Sequence, residues 1–265
     1  MENPPITSLS NPTIKRARAL HQRKVRQETG LFLVEGIHHV GAAIEAGWTI
    51  DTLLYAPDLL TSEYAHKLVR EQSILGMRCV PVAMDVFASL ADKDNPQGIL
   101  ALVQQKRRAI EDLDVSQFDW GVALLSPQDP GNLGTILRTI DAVGADGLIE
   151  LEGGVDPFHP SAVRASMGTL FSKPVIHASF EAFIHWGRLN GYRILATSAH
   201  AQDGYRSLRG QNHKAILLLG SEQRGLSSEQ MAACDKAVSI PMRGEVSSLN
   251  LAVAAGVLLY AMQDE

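Results

Sequence analysis

Five polar residues in the second half of the chain have the types and spacing to do chemistry: Asn132 and Arg138 within QDPGNLGTILRT (128–139), Glu222 within LGSEQRGLS (219–227), and Ser248 and Asn250 within IPMRGEVSSLNLAVA (240–254). Two amides, a carboxylate, a hydroxyl and a guanidinium can orient a polar substrate and stabilise charge that develops on it. Each segment sets Gly and small polar residues against an apolar helix or strand pattern, the mark of a loop shaped for a ligand and carried on a rigid element.

The elements that position these loops follow from the apolar pattern. Strands are predicted at 121–125, 147–151, 175–177, 193–196, 215–219 and 237–240, most of them separated by helical stretches, which predicts a largely parallel sheet covered on both faces. All three segments begin where a predicted strand ends, and ligands of such sheets gather at the carboxyl ends of the strands. No GxGxxG follows the first strand of either part and no GxxxxGK[ST] occurs, so an ordinary dinucleotide site or a P-loop is disfavoured.

Locally, Pro127 and Pro130 stiffen the first turn, and Asn132 is expected to cap a helix running through Arg138. Those two residues are six apart, close to two helical turns. In the second segment, Gly220 and Gly225 let the backbone approach a ligand, and Ser227 or Ser228 is expected to cap a helix with Glu229 in its first turn. In the third, Ser247 or Ser248 is expected to cap a final helix, apolar nearly all round and therefore buried on several sides. Each loop has a credible capping or turn role by itself.

The first hundred residues read as a small α/β unit. Helices are predicted at 12–27, opened by Asn11 with Pro12 at its first position, and at 36–46, 62–75 and 84–91; strands at 31–34, 52–55, 79–82 and 99–103. A basic-then-acidic stretch at 106–118 marks a linker, giving domains at 1–105 and 119–265. Net charge is −5, yet residues 1–30 hold six Lys or Arg against two Glu, a basic segment suited to phosphate contacts on an otherwise acidic protein. Cys79 and Cys234 form no CxxC or Cys/His cluster, and nine histidines show no HxxxH, so neither a disulfide framework nor a metal site is expected. With no apolar leader and no apolar run reaching the roughly 20 residues of a membrane span, a cytoplasmic protein is expected.

In order and spacing the three segments resemble the signature motifs of the SpoU-type RNA ribose 2′-O-methyltransferases of the SPOUT superfamily. The likeness spans most of the chain from Gln128 onward. It implies an α/β-knot domain, a mostly parallel six-stranded sheet with helices on both faces whose last loop and helix pass through an earlier loop in a deep trefoil knot. It also implies S-adenosylmethionine as methyl donor, no metal, and a homodimer. Carried over residue by residue, Asn132, Arg138, Glu222, Ser248 and Asn250 form the catalytic centre, with Glu222 holding Arg138 or Asn132 in place. Thr197, Leu219, Gly220, Ile240, Met242, Ser248 and Leu249 surround the cofactor. Arg164 and Ser166, in DPFHPSAVRASMG (156–168), resemble family residues that face the RNA. Upstream, SLSNPTIKRARAL and GLFLVEG resemble a small RNA-binding domain related to a ribosomal-protein fold, which adds Lys15, Arg16, Arg18 and Arg23 to the expected RNA contacts. Thr135 and Ile140 stand where Ala is common in the first motif, a change of packing more than of chemistry.

The implied reaction transfers a methyl group to a ribose 2′-hydroxyl of structured RNA, with ribosomal RNA of the 23S type ahead of transfer RNA. Family mechanisms often make the first-motif arginine a base. A guanidinium with a pKa above about 12 is a poor one at neutral pH, so Arg138 is equally suited to orient the substrate and stabilise its charge. The competing reading is a non-catalytic RNA-binding or ribosome-assembly factor that kept the knot and lost the chemistry. A binding module has no need for all five polar residues.

Overall fold

The computed structural model describes residues 4–92 and 95–263; residues 1–3, 93–94 and 264–265 of the expected domains lie outside it. The chain forms two compact units, one running to Lys106 and taking in Phe158–Phe171, the other comprising Arg107–Pro157 and Ser172 onward.

The first unit holds α1 (Pro12–Ala19), α2 (Arg23–Thr29), β1 (Leu31–Glu35), α3 (Ile37–Glu45), β2 (Ile50–Tyr55), α4 (Glu63–Ile74), β3 (Cys79–Pro81), α5 (Met84–Ala88) and β4 (Ile99–Gln104). The four predicted strands form one sheet in the order β1-β4-β2-β3, with β4 antiparallel to β1 and β2, and β3 parallel to β2. Leu31, Leu33, Leu54, Leu100 and Leu102 of the sheet bury against Ile14 and Leu20 near the N-terminus and Phe87 of α5. From later in the chain come α7 (Pro160–Ala165) and most of α8 (Thr169–Ser172).

Asn11 caps α1 as predicted, its side chain accepting the Thr13 N–H, with Pro12 at the first helical position. The single helix predicted at 12–27 is instead two, broken at Leu20–Gln22. Arg26 supplies the reason. Its side chain is buried, and Nη1 donates to the carbonyls of Leu20 at 2.8 Å and His21 at 2.9 Å, giving the carbonyls freed at the break a charged partner. One of the six basic residues of the N-terminal segment is therefore internal.

The second unit contains all six predicted strands, each within a residue of its expected ends: β6 (Trp120–Leu125), β7 (Gly147–Leu151), β8 (Val175–Ala178), β9 (Arg193–Thr197), β11 (Ala215–Leu219) and β12 (Lys236–Ser239). Two-residue strands β5 (Arg108–Ala109) and β10 (Asp203–Gly204) extend the sheet at its edges, so that part of the expected linker is an edge strand. The order is β10-β12-β9-β11-β6-β7-β8-β5, and every pairing is parallel. Strands β6, β7 and β11 are buried throughout, as a sheet covered on both faces demands. Ile149, Ile176, Ile216 and Leu218 pack on one face with Phe183 and Ile184 of α9 (Phe180–Leu189). Helices α6 (Pro130–Ala142) and α11 (Leu251–Met262) pack against each other and onto β7 and β11, burying Leu133, Ile136, Leu137 and Ile140 from the first and Leu258, Leu259 and Met262 from the second. A short α10 (Ser228–Ala232) precedes β12.

Chain direction fixes where a ligand loop can form. From β6 the chain builds outward through β7 and β8; the later strands β9, β11 and β12 fill the other side, with β11 against β6. The carboxyl ends of β6 and β11 are thus adjacent at the point where the strand order reverses, and that is where an open parallel sheet leaves a crevice.

Candidate active site

Strand β6 ends in a strained turn. Ser126 has φ of 46°, a left-handed conformation that costs a residue with a side chain about 1–2 kcal/mol. The turn is held by Gly154, whose missing Cβ would lie 2.4 Å from the Pro127 carbonyl oxygen, and by the Val155 N–H, which donates to that same oxygen at 2.9 Å.

Helix α6 then opens one turn earlier than expected. Asp129, not Asn132, is its cap: Oδ1 accepts the Asn132 N–H at 2.9 Å, and Pro130 takes the first helical position. The signal was present in the sequence as Asp-Pro, a cap followed by the one residue that loses nothing at that position. Freed from capping, the Asn132 side chain reaches the other loops. Its Nδ2 donates to Glu222 Oε1 at 2.6 Å, and its Oδ1 accepts from Asn250 Nδ2 at 3.0 Å.

Glu222 is held by a tight turn after β11. The N–H groups of Ser221 and Gly225 bond each other's carbonyls at 3.3 and 2.8 Å, and Ser221 Oγ accepts the Arg224 N–H at 3.2 Å. Gly220 is obligatory here, because a Cβ would fall 2.4 Å from the Gly225 carbonyl carbon. Ser227 then caps α10 in a capping box with Gln230, as one of the two predicted caps, with Glu229 in the first turn.

The final helix is capped by Asn250 and not by either predicted serine. Asn250 Oδ1 accepts the N–H groups of Ala252 at 2.9 Å and Val253 at 3.3 Å. Burial is also less complete than predicted, since Val253 and Tyr260 are exposed by 52% and 59%.

These bonds run in one direction. A carboxylate can only accept, so the Asn132 amide must turn its NH2 to Glu222 and its oxygen to Asn250; Asn250 must then turn its NH2 to Asn132 and its oxygen to the helix N–H groups. The chain of donors from the α11 N-terminus to the Glu222 carboxylate fixes both amides. Of the five expected catalytic residues, Asn132, Glu222 and Asn250 meet. Arg138 does not join them: it is exposed, and its guanidinium has no hydrogen-bonding partner among the described residues. Six residues turn a helix through about 600°, about 120° short of two turns, so Arg138 lies on a different face of α6 from Asn132. Ser248 is exposed in the irregular segment before the helix.

The residues expected around a cofactor lie along the same edge of the sheet. Thr197, Leu219 and Ile240 are at or just beyond the carboxyl ends of β9, β11 and β12, which are neighbours in the order β12-β9-β11. Leu219 is buried, Met242 half-buried, and residues 243–250 are exposed and without regular structure. Apolar side chains beside accessible backbone amides and carbonyls, together with the close turn that Gly220 permits, suit an adenosine held largely by main chain.

The expected RNA contacts have varied surroundings. Lys15 is exposed, Arg16 binds Asp51 through two hydrogen bonds of 2.8 and 3.0 Å, Arg18 donates to Ser89 Oγ at 2.9 Å, and Arg23 is exposed. Arg164 pairs with Asp92 at 2.6 Å within the first unit, and Ser166 is buried there with its hydroxyl donating to the Val163 carbonyl.

Residues 120–260 match the SpoU rRNA methylase family, and residues 11–101 match the MRM3-like substrate binding domain. The chain is 34% identical to the 23S rRNA (uridine(2479)-2′-O)-methyltransferase of Streptomyces viridochromogenes over 91% of its length and 85% of that protein. It is 27% identical to the 23S rRNA (guanosine(2553)-2′-O)-methyltransferase RlmP of Bacillus subtilis over 97% of this chain and 98% of that one. Among solved structures, the AdoMet-bound rRNA methyltransferase of Sinorhizobium meliloti superposes with a TM-score of 0.88 at 36% identity, covering 98% of this chain and 97% of that one. Fold and site together define the class: an S-adenosylmethionine-dependent RNA 2′-O-methyltransferase with an N-terminal substrate-binding domain. Within that class, the chain belongs to the SpoU rRNA methylase family.

Proposed function

We propose that this enzyme methylates a ribose 2′-hydroxyl of ribosomal RNA of the 23S type. The observation that carries the reading is the directed bond chain from Asn250 through Asn132 to Glu222 at the adjoining ends of β6 and β11. Two proteins that resemble this chain along most of its length act on 23S rRNA, which favours ribosomal over transfer RNA.

When bound, S-adenosylmethionine supplies a methyl group already activated by its sulfonium. What remains for the protein is alignment and charge. Thr197, Leu219, Gly220, Ile240, Met242 and Leu249 would hold the adenosine, and the path of residues 240–250 through an earlier loop would supply the knot of this family. Asn132, fixed by Glu222, would hold the target ribose. Arg138, without a hydrogen-bonding partner among the described residues, is suited to bind the adjacent phosphate and to stabilise negative charge as the hydroxyl loses its proton; Ser248 would bond the same hydroxyl. On the first unit, Lys15, Arg16, Arg18, Arg23 and Arg164 would contact phosphates; Ser166, already bonded to Val163, would act by shaping the segment that carries Arg164. Among the described residues no helix is long and apolar enough to cross a membrane. A cytoplasmic location agrees with the free thiols of Cys79 and Cys234.

The working unit is proposed to be a homodimer. Val253 and Tyr260 are seven residues apart and therefore on one face of α11, and both are exposed apolar side chains on a helix that buries Ala252, Ala255, Leu258, Leu259 and Met262. A copy of the same face would cover them.

Arg138→Ala tests the site assignment. Transfer of label from S-adenosylmethionine to ribosomal RNA should be abolished while cofactor binding stays nearly unchanged; turnover at the wild-type rate would refute the role given to Arg138.

A further inference from the structure

Four described residues other than glycine have a left-handed backbone: Ser126, Glu152, Met167 and Lys214. Three of them have a use for it. Ser126 opens the first loop of the active site, Glu152 Oε1 accepts the Phe180 N–H at 2.6 Å, and Lys214 Nζ lies 4.4 Å from the centre of the Tyr192 ring. Met167 differs. Its φ is 50°, yet its side chain is apolar and 46% exposed. It directly follows Ser166, the C-terminal cap of α7, at the position where a left-handed helix end normally takes Gly.

The strained turn is held through its carbonyls. Ser166 Oγ donates to the Val163 carbonyl at 2.8 Å, His39 Nε2 to that of Arg164 at 3.3 Å, Thr169 Oγ1 to that of Ser166 at 2.6 Å, and His38 Nε2 to that of Met167 at 3.0 Å. Two adjacent histidines in the first turn of α3 thus brace the end of α7, and all of these residues belong to the first unit. A left-handed residue with a side chain persists only where its surroundings over-determine it, and such residues gather at ligand contacts. Here the strain sets an apolar side chain in solvent, which points to a contact made outside the chain.

The neighbouring groups say which kind. Arg164, three residues earlier, pairs with Asp92 at 2.6 Å in a surface ion pair whose members are 43% and 42% exposed, weak enough to be exchanged for a phosphate. Lys15, Arg16, Arg18 and Arg23 lie in the same unit. A cation for a phosphate and a polarisable thioether for a ring face are the groups that receive an unstacked nucleotide.

We propose that Met167 packs on the face of an unstacked RNA base, with Arg164 on a neighbouring phosphate and His38 and His39 as positioning residues that keep the turn in its strained form. The contact presupposes RNA as the substrate, but its test reads binding, without cofactor or turnover.

Met167→Gly separates a binding role from a structural one. Glycine adopts the left-handed turn without strain, so the melting temperature of the full-length protein should not fall. Affinity for unmodified 23S-type ribosomal RNA, titrated by filter binding at physiological salt, should nevertheless drop about tenfold. Met167→Leu, which keeps an apolar side chain on the same turn, should recover most of that loss. Wild-type affinity in Met167→Gly would overturn the proposal, and so would a loss in Met167→Leu equal to that of the glycine variant. A melting temperature that drops together with affinity would make Met167 a packing residue, and a changed sedimentation with affinity intact would assign it to a protein contact; either refutes the base contact. A wild type that binds no RNA would overturn the reading of function as well.

Discussion

Asn132 sits between a group that can only accept and a group that donates to it, so its amide has one usable orientation. Replacing Asn132 with Asp puts a second carboxylate where a 2.6 Å bond to Glu222 stood. Two like charges cannot both persist at that distance, and the pair should bind a proton at a pH above the ordinary carboxylate range. Asn132→Asp is therefore expected to lose on the order of 100-fold in transfer rate at neutral pH, the size of a lost transition-state contact, and to recover part of it as pH falls and the shared proton restores the bond. Initial rates across pH check this; a variant that runs at the wild-type rate at pH 7 would mean that the direction of the amide is unimportant. Cys234 makes a smaller prediction. Burial, helped by the nearby Asp235 charge and opposed by Arg188, pushes its thiol up to about 11. At pH 8 the folded protein should react with a thiol reagent at that position at least about tenfold more slowly than the unfolded chain.

At the scale of elements, the site is made by two turns that tolerate few residues. Ser126→Gly removes the left-handed penalty after β6 and should raise stability by up to about 1 kcal/mol, read as a higher melting temperature. Gly220→Ala does the reverse, forcing a Cβ into the backbone of Gly225; it should shift the β11 turn, and weaker cofactor binding in a calorimetric titration is the expected result. The strands behind these turns were legible in the sequence because each is an apolar run bounded by Gly, Pro or charge, and burial on both faces rewards that pattern wherever the run sits. The caps were only half legible. Asp129 and Asn250 won over Asn132 and the two serines, and local composition permits any of these residues to cap a helix. The choice falls to tertiary contacts: Asn132 is worth more bonded to Glu222 than to its own helix. The break after Ala19 was hidden for the same reason, since Arg26 looks like a surface residue until the fold buries it against the Leu20 and His21 carbonyls. The place of Asn132 and Glu222 at strand ends was readable, whereas their 2.6 Å contact depends on strand order, which no local pattern encodes.

At the scale of the whole molecule, the basic N-terminal segment and the sheet crevice belong to different units, and each has its own polar chemistry. If α11 forms the proposed dimer contact, Tyr260→Asp should convert the protein to a monomer in sedimentation, with the Asn132 bond chain intact in each subunit; a wild-type protein that is itself monomeric would remove that part of the account. The methylated product is what defines the enzyme. Incubation of the full-length protein with methyl-labelled S-adenosylmethionine and unmodified 23S-type ribosomal RNA, followed by digestion to nucleosides and mass spectrometry, measures it directly. Label in one 2′-O-methyl nucleoside is the expected result, absent when Arg138→Ala replaces the wild type. Label on a base, or none on any RNA while the cofactor is shown to bind, would contradict it.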